Sequence, residues 1–172
     1  MIAGSAADPP VANEPISSES GYKEEMTSPR KKAAAKRRVQ YAALPYRRSG
    51  DSRTQVMLVT SRESGRWVIP KGWPMKRKTP AATAACEARE EAGVVGKVGR
   101  DSIGSYSYKK RLKSGAVVAC EVRVFPLKVK RQQKSWPERG EREIQWFSRA
   151  KAAKVVRESA LRDIIRNLPK CK

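Results

Sequence analysis

Residues 79–93, TPAATAACEAREEAG, constrain what this chain can fold into more than any other stretch. Thr79 carries the side-chain oxygen that an N-cap needs. Pro80 suits the first helical position, where a missing N–H leaves nothing unpaired. Gly93 is the residue type that ends a helix in the left-handed conformation. Between these signals Ala81, Ala85, Ala88 and Ala92 recur at helical spacing, which predicts a helix over Thr79–Ala92 with a small-residue stripe. Such a stripe lets the helix lie close to a sheet. The same segment holds Glu87, Glu90 and Glu91 at i, i+3 and i+4, on one face and within a turn of each other. Three carboxylates so placed repel unless cations bind. They suit a hard, oxygen-preferring ion, Mg²⁺ or Mn²⁺, which can polarise a phosphoryl oxygen and activate water. Taken alone, the three glutamates also fit a solvated acidic face.

Strands are expected around this helix. Val39–Tyr46 and Gln55–Thr60 precede it, the second with a continuous apolar run, Val56 to Val59, that suits a strand covered on both faces. Trp67–Pro70 reads as a short extended piece and 71–74 as a loop. After the helix come Val94–Val98, Ile103–Lys110, a turn at 113–115, and a long strand from Ala116 to about Val129. On that strand Val118, Cys120, Val122 and Val124 share one face. Residues 132–140 are polar and read as a loop, and Glu143–Phe147 as a strand. Ser148 and Ser159 then stand as N-caps of two helices, the second with Leu161, Ile164, Ile165 and Leu168 on one side. A mixed sheet with helices on both faces, an α/β fold, is the natural assembly. Residues 1–37, with Pro9-Pro10, scattered Ser, Ala and Glu and no periodicity, are expected to be a disordered leader ending in a basic run, with the folded domain at 38–170.

Composition narrows the chemistry. There is no histidine. Ser-His-Asp and Cys-His nucleophile systems, HExxH zinc sites and an imidazole base are therefore excluded. Acid–base work must come from carboxylates, Lys, Tyr, Cys or metal-bound water. Cys86, Cys120 and Cys171 are too widely spaced for a zinc site or disulfide framework. No apolar run approaches the roughly 18 residues that span a membrane, and no secretory signal opens the chain, so a cytoplasmic location with no membrane partner is expected. The net charge is +21, and residues 39–172 alone carry 31 Lys/Arg against 12 Asp/Glu, a net +19. A field of that size attracts polyanions and speeds their encounter.

The stretch Gly72 to Val94, GWPMKRKTPAATAACEAREEAGV, resembles the signature box of the Nudix hydrolase family. Gly72, Glu87, Ala88, Glu90, Glu91, Gly93 and Val94 match at their spacing, and the likeness extends over about 39–168. The resemblance implies a Nudix-type α/β/α sandwich and hydrolysis of phosphoanhydride bonds. It implies Glu87, Glu91 and the Gly72 carbonyl as ligands of Mg²⁺ or Mn²⁺, and Glu90 as general base or further ligand. Two positions depart from the pattern. Lys78 stands where the box has its first Glu, and Cys86 where it has an Arg that buttresses the helix carboxylates. Glu138, Glu141 and Glu143 could supply another acid, with Glu141 the first to test.

Segments Trp67–Gly72, 96–100 and Trp146-Phe147 look most like the branch that cleaves diphosphoinositol polyphosphates and diadenosine polyphosphates. That likeness implies an anionic small-molecule phosphate substrate, with Ser61 and Arg62 at a phosphate-contacting position; Lys71, which flanks the box, and Lys78, a point charge in place of the box Glu, are the other candidate phosphate contacts. RNA is a further candidate partner. The alternative expectation is a Nudix-fold protein that binds nucleotide or RNA with weak or no catalysis. Nothing in the sequence bears on oligomeric state.

Overall fold

The computed structural model describes residues 38–51, 53–112 and 114–168. The expected leader, Cys171 and part of the turn at 113–115 lie outside the described residues. Among the described residues, eight strands and three helices follow in the order β1 Arg38–Arg48, β2 Thr54–Thr60, β3 Trp67–Val68, β4 Lys71–Gly72, α1 Pro80–Ala92, β5 Val94–Val98, β6 Gly104–Arg111, β7 Val117–Gln132, β8 Ile144–Ser148, α2 Arg149–Val155 and α3 Ser159–Arg166.

The strands form one mixed sheet. Its main path runs β3-β2-β1-β7-β5, with β4 on β1, β6 on β7 and β8 on β2. β1 and β7 pair in parallel from Arg38↔Cys120 to Tyr46↔Lys128. The other pairings are antiparallel. Alternation along the central strands sends side chains into two cores. Ala42, Leu44, Val56, Leu58, Val122 and Val124 pack with α2 and α3. Ala43, Met57, Val59, Phe125 and Leu127 pack under α1. The Val56–Val59 run is thus buried on both faces, as its unbroken apolarity requires. The α/β/α expectation holds.

α1 forms as its end signals dictate. The Thr79 hydroxyl accepts from the Ala82 N–H at 3.2 Å, and Gly93 closes the helix at φ +67° with its N–H donating to the Arg89 carbonyl at 3.0 Å. The stripe against the sheet is Ala84, Ala88 and Ala92 rather than one containing Ala85, which lies on a neighbouring cleft.

Two of these assignments differ from expectation. Lys71-Gly72 is a short strand on β1, pairing Tyr41↔Gly72 and Ala42↔Lys71, not loop. β3 itself ends at Val68, before Pro70, and the chain resumes pairing at Lys71, directly after the proline. Ser148 caps α2 by accepting from the Lys151 N–H at 3.3 Å. Ser159, however, is the first residue of α3, whose N-cap is Glu158, with no side-chain cap bond. The amphipathic face of α3 is as expected, with Leu161, Ile164, Ile165 and Leu168 buried.

Candidate active site

Five segments meet around one cleft of about 420 Å³. α1 presents Glu87 and Glu91. β4 brings Lys71 and Gly72. The loop after β2 brings Ser61, Arg62 and Arg66. The loop 133–143 brings Glu138 and Arg142. β6 brings Tyr106, Tyr108 and Lys110, with Gln40 of β1 beside them and Glu158 from the start of α3. The side of the cleft built by α1 and the loop 133–143 carries three acids, and the other segments bring most of its cations.

The acidic side is tightly organised. The Glu87 carboxylate rests against the Gly72 backbone, where any side chain on residue 72 would run into it. Burial, then the charges of Glu91, Glu90 and Glu138, push the Glu87 carboxyl from its ordinary 4.5 to about 7. Glu91 is only 6% exposed. Its Oε1 accepts from Arg142 Nη2 at 2.7 Å, while its Oε2 is buried with no hydrogen-bond partner. Burial raises the Glu91 pKa, and the charges of Arg142 and Lys71 pull it back down. Arg142 also donates from Nε to Glu138 Oε2 at 2.7 Å and from Nη1 to the Thr60 carbonyl at 2.9 Å. Arg62 caps the mouth, with Nη1 2.9 Å from Glu141 Oε2 and 3.5 Å from Glu138 Oε1.

The loop 133–143 is fastened to α1. The Gln133 N–H donates to the Gly93 carbonyl at 2.8 Å, and the Glu138 N–H to the Glu90 carbonyl at 3.1 Å. On the remaining wall Lys71 loses solvent in the cleft, which lowers its pKa, and its Nζ lies 5.8 Å from the Tyr108 ring centre. The Tyr108 hydroxyl donates to Gln40 Oε1 at 2.6 Å.

Of the residues expected at a site, Gly72, Ser61, Arg62, Lys71, Glu87 and Glu91 line this cleft. Glu90 and Lys78 do not. Glu90 Oε1 accepts from Cys86 Sγ at 3.4 Å and lies 3.6 Å from Arg89 Nη2. Lys78 and Cys86 line a separate cleft with Arg77 and Arg89. Glu141 is exposed and paired with Arg62, so Glu138 is the loop acid that faces the cleft. Arg142, Gln40, Tyr108 and Glu158 are absent from the sequence-based set. Tyr106, Tyr108 and Lys110 alternate along β6, a period-2 pattern that could have placed them on one face.

Among the described residues no three Cys, Asp or Glu side chains are drawn together closely enough to hold an ion as they stand. The donor chemistry nonetheless suits a hard cation. The candidate ligands are all oxygens, Glu87 feels the charges of Glu91 and Glu138, and one buried Glu91 oxygen is unsatisfied.

The sequence model of the NUDIX domain matches residues 36–168. This chain belongs to the NUDIX domain family. A curated Nudix relative from Arabidopsis thaliana, "Nudix hydrolase 13, mitochondrial", is 32% identical over 127 residues, covering 67% of this chain and 62% of the relative. The chain therefore spans about 62% of the length of that relative. Among solved Nudix-fold structures, the E. coli dihydroneopterin triphosphate pyrophosphohydrolase superposes with a TM-score of 0.58 at 16% identity, over 79% of this chain and 97% of that one. A C. elegans Ap4A hydrolase gives 0.55 at 16% identity, over 76% and 95%. At these identities the likeness shows the fold.

Proposed function

We propose that this Nudix chain is a hydrolase of phosphoanhydride bonds in a polyanionic small molecule, such as a dinucleoside polyphosphate or a diphosphoinositol polyphosphate, and that it depends on Mg²⁺ or Mn²⁺. The observation that carries the reading is the division of one cleft between carboxylates (Glu87, Glu91, Glu138) and cations (Arg62, Lys71, Lys110). A substrate with several adjacent phosphates needs both. The cations take its charge, and the carboxylates hold a cation against the bond to be broken. The named Nudix hydrolase relative supports a hydrolase.

In this reading Glu87, Glu91 and the Gly72 carbonyl hold the metal, with Glu138 as a further ligand. The bound metal would polarise a phosphoryl oxygen and lower the pKa of its water. Arg62, Lys71 and Ser61 bind phosphate. Lys78 keeps only a peripheral role, because it lines a different cleft. Glu90, assigned as general base by resemblance, must turn from Cys86 and Arg89 to act on the cleft. Glu138 is the acid already there.

Phosphate release is measured over dinucleoside polyphosphates, nucleoside triphosphates, capped or triphosphorylated RNA and diphosphoinositol phosphates, with and without Mg²⁺. Metal-dependent release is expected from the first or last class. Glu90→Gln and Glu138→Gln then assign the base, which should lose about a hundredfold or more in kcat. If neither Gln variant nor Glu91→Gln slows turnover on a folded protein, the site is misassigned.

The turned-away Glu90, with Cys86 at its side, favours a second reading: a Nudix-fold binder of nucleotide or RNA with little catalysis. Salt-sensitive binding without product from any substrate would establish it instead. The compartment is proposed as cytoplasmic on composition alone. Among the described residues no helix is long and apolar enough to cross a membrane.

A further inference from the structure

We infer that Arg142 is the positioning residue of the acidic wall: its guanidinium fixes Glu91 and Glu138 as a pair and leaves one oxygen of each carboxylate outside its own bonds, for a cation. The inference rests on the proposed metal site and adds a residue to it that neither the box nor the resemblance contains.

Three observations carry it. First, the guanidinium is spent on three different segments. Nη2 donates to Glu91 Oε1 at 2.7 Å, Nε to Glu138 Oε2 at 2.7 Å and Nη1 to the Thr60 carbonyl at 2.9 Å. A planar fork making three bonds has little freedom left. A lysine, with one tetrahedral centre on a flexible stem, cannot reproduce the arrangement.

Second, the residue is anchored at its base. Glu143, next in the chain, donates its N–H to Thr60 Oγ1 at 2.9 Å, and its carbonyl accepts from the Thr60 N–H at 3.0 Å. β8 then pairs with β2 from Val59↔Ile144 onward. The Arg142 side chain is 7% exposed, so it projects from a stitched sheet end into the interior and not from a free loop.

Third, the bonds leave the carboxylates usable. Arg142 takes Oε1 of Glu91 and leaves Oε2, which is buried and unpartnered. It takes Oε2 of Glu138, and Oε1 of that residue lies 3.5 Å from Arg62 Nη1. Position 86 gives no such support to Glu91, since the Cys86 thiol reaches Glu90. The support that the box would draw from its own helix thus comes to Glu91 from the far end of the loop.

Two roles for this arginine predict opposite results. A mere counter-ion repels an incoming metal, so removing it would tighten metal binding, and a lysine would leave binding unchanged. A positioning residue does the reverse. The test is Mn²⁺ affinity of the full chain, by calorimetry and by the Mn²⁺ paramagnetic resonance signal, for wild type, Arg142→Gln and Arg142→Lys. Folding of each is followed by circular dichroism. Both variants are expected to weaken Mn²⁺ binding about ten- to a hundredfold, the lysine scarcely less than the glutamine.

With a substrate in hand, kcat and the Mg²⁺ activation constant should move together while KM changes little. Should Arg142→Gln fail to fold, Arg142→Lys alone decides. Wild-type Mn²⁺ affinity in a folded lysine variant, or tighter binding in the glutamine variant, overturns the inference and leaves the metal site standing. Absence of Mn²⁺ binding by the wild type overturns both.

Discussion

At the scale of single residues, Gly72 and Glu87 make a close contact that matters because it fixes a reactive group. Only hydrogen on Gly72 Cα allows the Glu87 carboxylate to lie where it does. Gly72→Ala should be mild for stability, because the obstructing atoms are the far end of a flexible side chain. It should be severe for activity, because that end must move. A displacement near 1 Å costs about a hundredfold in rate. Comparing kcat/KM and the melting temperature of this variant tests the point, and unchanged turnover would show that Glu87 is not held where it works.

The Glu87 charge is itself a cost to the metal-free fold. Its carboxyl titrates near 7 when folded against about 4.5 in an unfolded chain, mainly through burial and then through Glu91, Glu90 and Glu138. The folded state therefore binds this proton more tightly. This group's contribution is most favourable below about 4.5, falls as pH rises towards 7 and is constant above. Removing the charge with Glu87→Gln should raise the melting temperature in EDTA at pH 8, with the gain shrinking as the pH is lowered through that window. Saturating Mg²⁺ should reverse the order, because it stabilises the ionised wild type. A pH-independent difference would refute the assignment.

At the scale of elements, α1 and the loop 133–143 act as one unit. The helix ends where Gly93 turns left-handed, and the Trp136 ring of the loop closes over that turn so that a Cβ there would strike it. Thr79→Ala removes a cap at the distant end and should cost about 1 kcal/mol by denaturant titration, with activity kept. Gly93→Ala adds backbone strain of about 1–2 kcal/mol and displaces Trp136. It should also lower activity, since the loop carrying Glu138 and Arg142 hangs from that junction. Equal activity in the two variants would mean that the loop does not need its helix seat.

These two elements also separate what is legible in the sequence from what is not. The helix announces itself through local signals: a cap, a proline, a glycine and a 3.6-residue period. Its three glutamates are therefore found without the structure. Arg142 lies 51 residues from Glu91 and Arg62 lies 79 from Glu141. Those pairings exist only once β2 and β8 have brought the two loops together. A buried arginine in a polar stretch carries no periodic signature. Glu90 shows the opposite limit. Helical spacing puts it on the face of Glu87 and Glu91, but its rotamer, set by Cys86 and Arg89, points it elsewhere. The alternation of β7 and the continuous apolarity of β2 are period-level facts, and they give the layered sheet correctly. The β4 pairing and the Glu158 cap rest on single residues, and so fall below what a pattern reveals.

At the scale of the whole molecule, residues 39–172 carry a net +19 while the catalytic candidates are acids. A metal must reach carboxylates inside a positive field, and the substrate must bring the negative charge. The field works for the substrate and against the free cation, which favours arrival of metal and polyphosphate together. With Mg²⁺ held saturating, raising monovalent salt from about 20 to 500 mM shortens the screening length from about 20 Å to about 4 Å. kcat/KM for a polyphosphate should then fall by about tenfold or more, and more steeply for a substrate with more phosphates. kcat should change little, because charges lining the cleft at contact distance are poorly screened. Stopped-flow association rates give the same reading for a ligand that is not turned over. A kcat/KM indifferent to salt would separate the basic surface from substrate capture, and would leave the cleft cations, Arg62 and Lys71 foremost, to account for binding by contact alone.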